Sequence, residues 1–164
     1  MFWAFLLQSV VNGVLTGGVY GLIAVGLTLI FGVMKIINFA HGSLMMLGMY
    51  TTFWCGALFG LDPYASMLVS VPLLFVLGAS IQKALIAPIM NAPEHNQLLL
   101  TLGVALFLEN LALFAWKADP RFVQTEYLAV NYFLGPLTIK QVHLTAFAAS
   151  LVITLLLYNL VFVL

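Results

Sequence analysis

The chain has 164 residues, of which 64% are hydrophobic and only 6% are charged, and its formal net charge is zero. Soluble domains carry about 25% charged residues, so this composition excludes a water-soluble fold. The balanced charge offers no basic surface for nucleic acid, and the single cysteine, Cys55, can form neither an internal disulfide nor a cysteine-rich metal site.

The apolar residues occur in long runs. Uncharged stretches cover residues 1–34, 36–61, 63–82 and 141–164, and the stretch 96–116 holds one acidic residue, Glu109. Each run suffices for the roughly 20 apolar residues of a membrane helix, and none shows the alternation of an outer-membrane barrel strand. We therefore predict an all-α fold, a polytopic membrane helix bundle with about five transmembrane helices.

In chain order, the predicted spans cover residues 5–34, 41–60, 63–86, 97–116 and 143–164. The first would measure about 45 Å as one straight helix, well over a hydrocarbon core of ~30 Å, so it must tilt, bend or begin at the interface. We expect a turn at Gly60–Pro63, a proline-containing loop at 87–96, and a polar connection at 117–142 with turns at Asp119-Pro120 and Gly135-Pro136.

Three glycines of the first span, Gly13, Gly17 and Gly21, are spaced by four residues. They share one helix face and allow another backbone to approach closely. We predict close helix packing along this face, either in a seam that lines a pathway or as ordinary packing of small residues.

A polar segment, KIINFAHG (residues 35–42, here called the island), separates the first two spans. Asn38 and His41 supply its polar side chains besides Lys35. One interpretation is a break between half-helices beside a translocation pathway, because non-helical backbone inside a membrane must be buried or face water. The other is a loop at the membrane surface, which the nineteen apolar residues that follow would favour.

Glu109 lies inside the fourth predicted span, next to Asn110. Ionisable residues at such positions are costly and often functional. Glu109 is predicted either to tie two helices together, through Asn12, Asn38 or a serine, or to line the pathway.

The sequence contains no HExxH, GxSxG or P-loop pattern. We therefore predict no catalytic, cofactor-binding or metal-binding residue, and any ATP and Mg²⁺ would bind to another chain.

The sequence nevertheless resembles a known family. The segments NGVLTGGVYGLIAVGLTLIFGVMKIINFAHG (12–42), LMMLGMY (44–50) and TLGVALFLENLAL (101–113) are similar to the permeases of branched-chain amino-acid ABC importers, specifically the first of the two paired permeases. ADPRFV (118–123) and LGPLTI (134–139) add weaker support.

The resemblance implies a multi-pass permease of the bacterial or archaeal inner membrane that carries branched-chain or related small amino acids or amides. It also implies a second homologous permease, two ATP-binding cassette ATPases and a periplasmic substrate-binding protein as partners, besides membrane lipid. The loop at 84–96 would be cytoplasmic and the connection at 117–142 periplasmic.

Two departures from the family accompany the resemblance. Ser43 stands where members often have an acidic residue, and the segment that would contact the ATPase is missing. We therefore expect residues 1–164 to form a single transmembrane permease domain that is truncated at its C-terminus. The alternative is a truncated membrane module with an assembly role and no transport by itself.

Overall fold

The chain is built from five α-helices and one β-hairpin in the computed structural model, which describes residues 2–123, 125, 130–135 and 137–162. The elements are α1 (Phe2–Met34), α2 (His41–Phe59), α3 (Pro63–Ile81), α4 (Glu94–Trp116), β1 (Asn131–Leu134), β2 (Leu137–Lys140) and α5 (Gln141–Phe162). The all-α prediction is confirmed, and the hairpin is an addition to it.

Four helical segments in the described part of the chain are long and apolar enough to cross a membrane, namely Phe2–Met34, Pro63–Ile89, Glu94–Trp116 and Gln141–Val161. The fifth helix, α2, carries more polar side chains. Its Thr51 and Thr52 hydroxyls donate to the carbonyls of Leu47 and Gly48 at 2.8 and 3.0 Å, so they are satisfied within the helix. The chain is therefore a polytopic membrane protein.

The helices group into two compact units. The first combines Met1–Thr28 with Gln124–Leu164, and the second is Leu29–Val123. We call them the split unit and the contiguous unit, and α1 contributes residues to both. The single domain over 1–164 stays a prediction.

In the contiguous unit, α2 and α3 are joined by a tight turn. Gly60 adopts φ +63°, the left-handed conformation that glycine tolerates best, and ends α2. Asp62 then caps α3, because its carboxylate accepts from the Tyr64 N–H at 2.9 Å. The predicted turn at Gly60–Pro63 is confirmed.

Helix α4 runs parallel to α2. Ser43 contacts Glu109 and, seven residues further along each helix, Tyr50 contacts Trp116. The two helices therefore run in the same direction. Ile37, just before α2, contacts Thr101 in the same order. The small core of this unit lies between them and consists of Ala40, Val104, Ala105 and Leu108.

The connection from α3 to α4 differs from the prediction at both ends. A π-helical turn (Gln82–Ile86) and a 3₁₀ turn (Ala87–Ile89) continue α3, and α4 already begins at Glu94 rather than at residue 97. An acidic residue in the first turn favours this earlier start. The buried Gln97 amide secures the turn by donating to the carbonyls of Met90 and Ala92 at 3.0 and 2.9 Å.

In the split unit, the hairpin is bound to α1 by one side chain. Gln8 donates to the Thr138 carbonyl at 2.7 Å and accepts from the Thr138 N–H at 2.8 Å, so its amide pairs with β2 as a neighbouring strand would. Gly135 enters the hairpin turn with φ +61°, as expected for its predicted turn; Pro136 lies outside the described residues.

We expect Gln8→Ala to loosen the hairpin, because both backbone groups of Thr138 lose their partners at about 1–3 kcal/mol for each group left unsatisfied. Amide exchange of residues 137–140, measured by mass spectrometry, should accelerate. Asn12→Ala is the matched control, since it removes only the 3.1 Å bond between Gln8 and Asn12. Equal exchange in both variants would show that the Gln8 pair does not secure the hairpin.

Candidate functional site

The island begins where α1 is forced to end. Lys35 adopts φ +57°, a conformation that costs a residue with a side chain about 1–2 kcal/mol and cannot continue a helix. Its N–H still donates to the Phe31 carbonyl at 2.8 Å, which completes the last turn of α1. The Lys35 ammonium lies 5.9 Å from the centre of the Phe31 ring.

Asn38 organises the start of α2. Its side-chain oxygen accepts from the Ala40 N–H at 3.0 Å, and its carbonyl accepts from the His41 N–H at 3.3 Å. This arrangement is an Asx turn, which offers backbone groups a partner where no regular helix exists. Asn38, a predicted pathway residue, therefore has a local structural role.

The island packs against the side of α4 instead of projecting from the helix ends. Ile36 and Ala40 are each only 2% exposed. The Thr101 hydroxyl lies 3.1 Å from the Ile37 carbonyl and also 3.1 Å from the Leu98 carbonyl of its own helix, so these two acceptors share its proton. Thr101 lies seven residues after Glu94, the first residue of α4, which is about 10 Å along the helix.

This position bears on the two interpretations of the island. Non-helical backbone at membrane depth is stable when protein groups cover it and satisfy its hydrogen bonds. Burial of Ile36 and Ala40 and the contact between Thr101 and the Ile37 carbonyl meet part of that requirement. The arrangement favours a helix break inside the unit over a loop at the membrane surface.

Glu109 joins this site through Ser43, which the sequence had marked only as a departure from the family pattern. The Ser43 hydroxyl is buried between α2 and α4, where it donates to Glu109 Oε1 at 3.1 Å and approaches the Ala105 carbonyl at 3.4 Å. Of the partners considered for Glu109, a serine is the one observed. Asn38 is occupied with Ala40, and Asn12 accepts from Gln8.

The electrostatics suit a carboxylate at this place. Ser43 is the third residue of α2, so Glu109 lies beside the positive end of that helix dipole. The rest of the Glu109 side chain is exposed on α4. The Glu109 side chain therefore has one hydrogen-bond partner, Ser43, and one open side.

His41 is the first residue of α2 and is half-buried. Its position between the Asx turn and Ser43 places it at the same helix start as the Glu109 contact. The structure thus gathers the predicted residues Asn38, His41 and Glu109 around the start of α2; whether they contact a transported molecule stays a prediction.

The three glycines spaced by four residues, Gly13, Gly17 and Gly21, lie in the split unit. A Cβ atom at Gly13, Gly17 or Gly21 would meet nothing within 4 Å in the described part of the chain. The close approach of α1 to α5 occurs at Gly18, where a Cβ atom would overlap the Phe147 ring and lie 3.2 Å from Ser150 Oγ. Packing along the Gly13, Gly17 and Gly21 face stays a prediction.

We expect Gly18→Leu to lower the free energy of unfolding by about 1–3 kcal/mol, the usual cost of overpacking, because Phe147 has to move. Gly17→Leu is the control on the open face and should change it by less than about 0.5 kcal/mol. Unfolding of the detergent-solubilised chain, followed by circular dichroism, provides the measurement. Equal losses would contradict the assignment of the contact to Gly18.

A second test concerns the bond between α4 and the island. Thr101→Val keeps the shape of the side chain but removes the hydroxyl that the Ile37 and Leu98 carbonyls share, so the Ile37 carbonyl loses this donor at a cost of about 0.5–1.5 kcal/mol. Thr52→Val serves as the control, because the Thr52 hydroxyl bonds only within its own helix. If both valine variants unfold at the same denaturant concentration, the Thr101 bond does not stabilise the island.

Comparisons with known proteins identify the family of the chain. Residues 9–163 match the family model described as "branched-chain amino acid transport system / permease component". The chain is 31% identical to the high-affinity branched-chain amino acid transport system permease protein BraD of Pseudomonas aeruginosa over 137 residues, which cover 79% of this chain and 44% of the relative.

The permease protein LivH of Salmonella typhimurium is 32% identical over 114 residues, which cover 65% of this chain and 37% of the relative, and LivH of Escherichia coli K12 shows the same values. The chain thus matches less than half the length of these curated relatives. No solved structure shows a significant match. The match over residues 9–163 confirms the resemblance found in the sequence: the chain belongs to the family of permease components of branched-chain amino acid transport systems.

Proposed function

We propose that this chain acts as a permease subunit of an ABC importer that carries branched-chain or related small amino acids or amides across the inner membrane. The family match and the similarity to the branched-chain amino acid permeases BraD and LivH support the substrate class. The apolar helices support a multi-pass location.

One observation carries the proposal beyond family membership: the interrupted helix and the only acidic residue of the α4 interior meet at the start of α2. Transporters place their sites at such breaks, where helix ends and freed backbone groups can meet a polar molecule. Glu109 has an exposed side, and intramembrane carboxylates almost always face the protein interior or water. A partner helix or an aqueous cavity therefore belongs on that side.

The mechanism proposed is alternating access. Two states of the permease interconvert, and partner subunits bias them because they bind one state better than the other. The Thr101–Ile37 and Ser43–Glu109 bonds connect α4 to the island and to α2, so a movement between these helices has to exchange them. No covalent step is needed, and the chain is not proposed to be an enzyme.

The partners proposed are a second homologous permease, two ATP-binding cassette ATPases and a periplasmic substrate-binding protein. ATP and Mg²⁺ would bind to the ATPases. Co-purification with ATPases whose hydrolysis rises with added substrate supports this assembly, whereas stable expression without any ATPase would favour a structural module that does not transport.

We expect Glu109→Gln to lower leucine uptake by about tenfold at unchanged membrane abundance, since a charged hydrogen-bond partner contributes roughly 1.5–3 kcal/mol and tenfold corresponds to about 1.4 kcal/mol. His41→Ala should lower uptake in the same way. The measurement is uptake of radiolabelled leucine in cells that express a full-length family member with the matching substitution together with the partner subunits, normalised to the amount of permease in the membrane.

Glu94→Gln is the matched control, because Glu94 lies at the start of α4, away from Ser43. The variant Glu109→Ala separates the two interpretations of this residue. If Glu109→Ala is less abundant in the membrane but both Glu109→Ala and Glu109→Gln show normal uptake per molecule, Glu109 only ties two helices together. Its role in the pathway would then be excluded.

A further inference from the structure

A second site emerges at the other end of the contiguous unit. An apolar cavity of about 370 Å³ lies between α2, α3 and the end of α4. Its walls include Leu47 and Leu58 of α2, Leu73 and Leu77 of α3, and Trp116 of α4. This volume falls in the range of small-ligand sites, roughly 300–1,000 Å³, and the lining is almost entirely hydrocarbon.

A cation contacts two of the residues that line this cavity. The Arg121 guanidinium is 5.3 Å from the centres of both the Phe53 and the Trp54 rings, and its Nη2 donates to the Trp116 carbonyl at 3.2 Å. Trp54 and Trp116 both line the cavity. Guanidinium carries five N–H donors in a planar fork, so most of them remain available to a phosphate group.

The aromatic residues around Arg121 indicate its depth. Tyr50 stacks on Trp116 with ring centres 4.4 Å apart, and Phe53 and Trp54 lie on the next turn of α2. Tryptophan and tyrosine concentrate where membrane helices cross the headgroup region. The cation therefore lies at the level of lipid phosphates, with an apolar cavity beside it.

We propose that this cavity and Arg121 form a binding site for one anionic phospholipid, with the phosphate on the guanidinium and an acyl chain in the cavity. The charge of Arg121 selects the headgroup, and the leucine and tryptophan walls accept the chain. A neutral apolar molecule would use the cavity but leave the cation unpaired.

The test uses the purified full chain in detergent and compares retention of phosphatidylglycerol and phosphatidylcholine by native mass spectrometry. One basic residue near a membrane surface favours anionic lipid by about fivefold, so we expect about that preference in the unmodified chain. Arg121→Gln should abolish the preference, and Arg121→Lys should keep much of it. Lys140→Gln, which changes a basic residue of the hairpin, should retain it.

A second measurement locates the lipid. Phosphatidylglycerol with brominated acyl chains should quench the fluorescence of Trp54 and Trp116 in a Trp3→Phe background, and Leu73→Phe, which narrows the cavity at an exposed wall residue, should weaken the quenching. The proposal is overturned if the two lipids are retained equally, if the preference survives in Arg121→Gln, or if quenching disappears once the partner subunits are bound. That last result would show that protein covers the cavity.

Discussion

The structure depends on one constraint: inside hydrocarbon, every backbone polar group needs a partner within the protein. Helices meet it automatically, and the island has to meet it residue by residue. The Phe31 carbonyl accepts from Lys35, the Ala40 N–H donates to the Asn38 side chain, and the Ile37 carbonyl receives the hydroxyl of Thr101. Because the last donor comes from α4, the packing of α4 beside the island supports the helix break.

The same helix resolves the problem of a carboxyl group in an apolar segment. Glu109 is two turns further along α4 than Thr101, and the partner of Glu109, Ser43, lies six residues after Ile37 and inside the first turn of α2. The parallel arrangement brings the carboxylate to the positive end of α2, where both a hydroxyl and the helix dipole favour it. The contacts of Thr101 with Ile37 and of Glu109 with Ser43 therefore fix the position of α4 along the island and α2.

Much of the fold can be predicted from the sequence because long apolar runs have few alternatives to membrane helices. The turn between α2 and α3 could also be predicted, because Gly60 and Asp62 determine the backbone conformation within a few residues of themselves. The hairpin was missed, because its short strands, NYFL and LTIK, stand inside a polar connection and need Gln8, 130 residues away, as a partner. The Gln8 amide takes the place of a neighbouring strand beside β2, and nothing in the sequence near β2 indicates this distant partner.

The candidate site was predicted in part. Asn38, His41 and Glu109 stand out because polar residues are rare in these spans, whereas Ser43 and Thr101 are ordinary helix residues whose importance comes from what lies opposite. The spacing of Gly13, Gly17 and Gly21 defines a helix face but not the neighbour that it meets. The contact in this chain falls at Gly18 because the rotation of α1 against α5 is fixed by tertiary packing, including Phe147.

The pairing of Gln8 with Thr138 has a consequence for biosynthesis. The contiguous unit, Leu29–Val123, can assemble as soon as it has left the ribosome, whereas the split unit requires segments made at very different times. Domains generally fold in the order of their synthesis, so the first turns of α1 remain without their partners while three later helices are inserted. They tolerate the delay because polar groups such as the Ser9 hydroxyl, which donates to the Phe5 carbonyl at 3.0 Å, are satisfied within the helix. The order of insertion therefore makes completion of the split unit the last step in the maturation of residues 1–164.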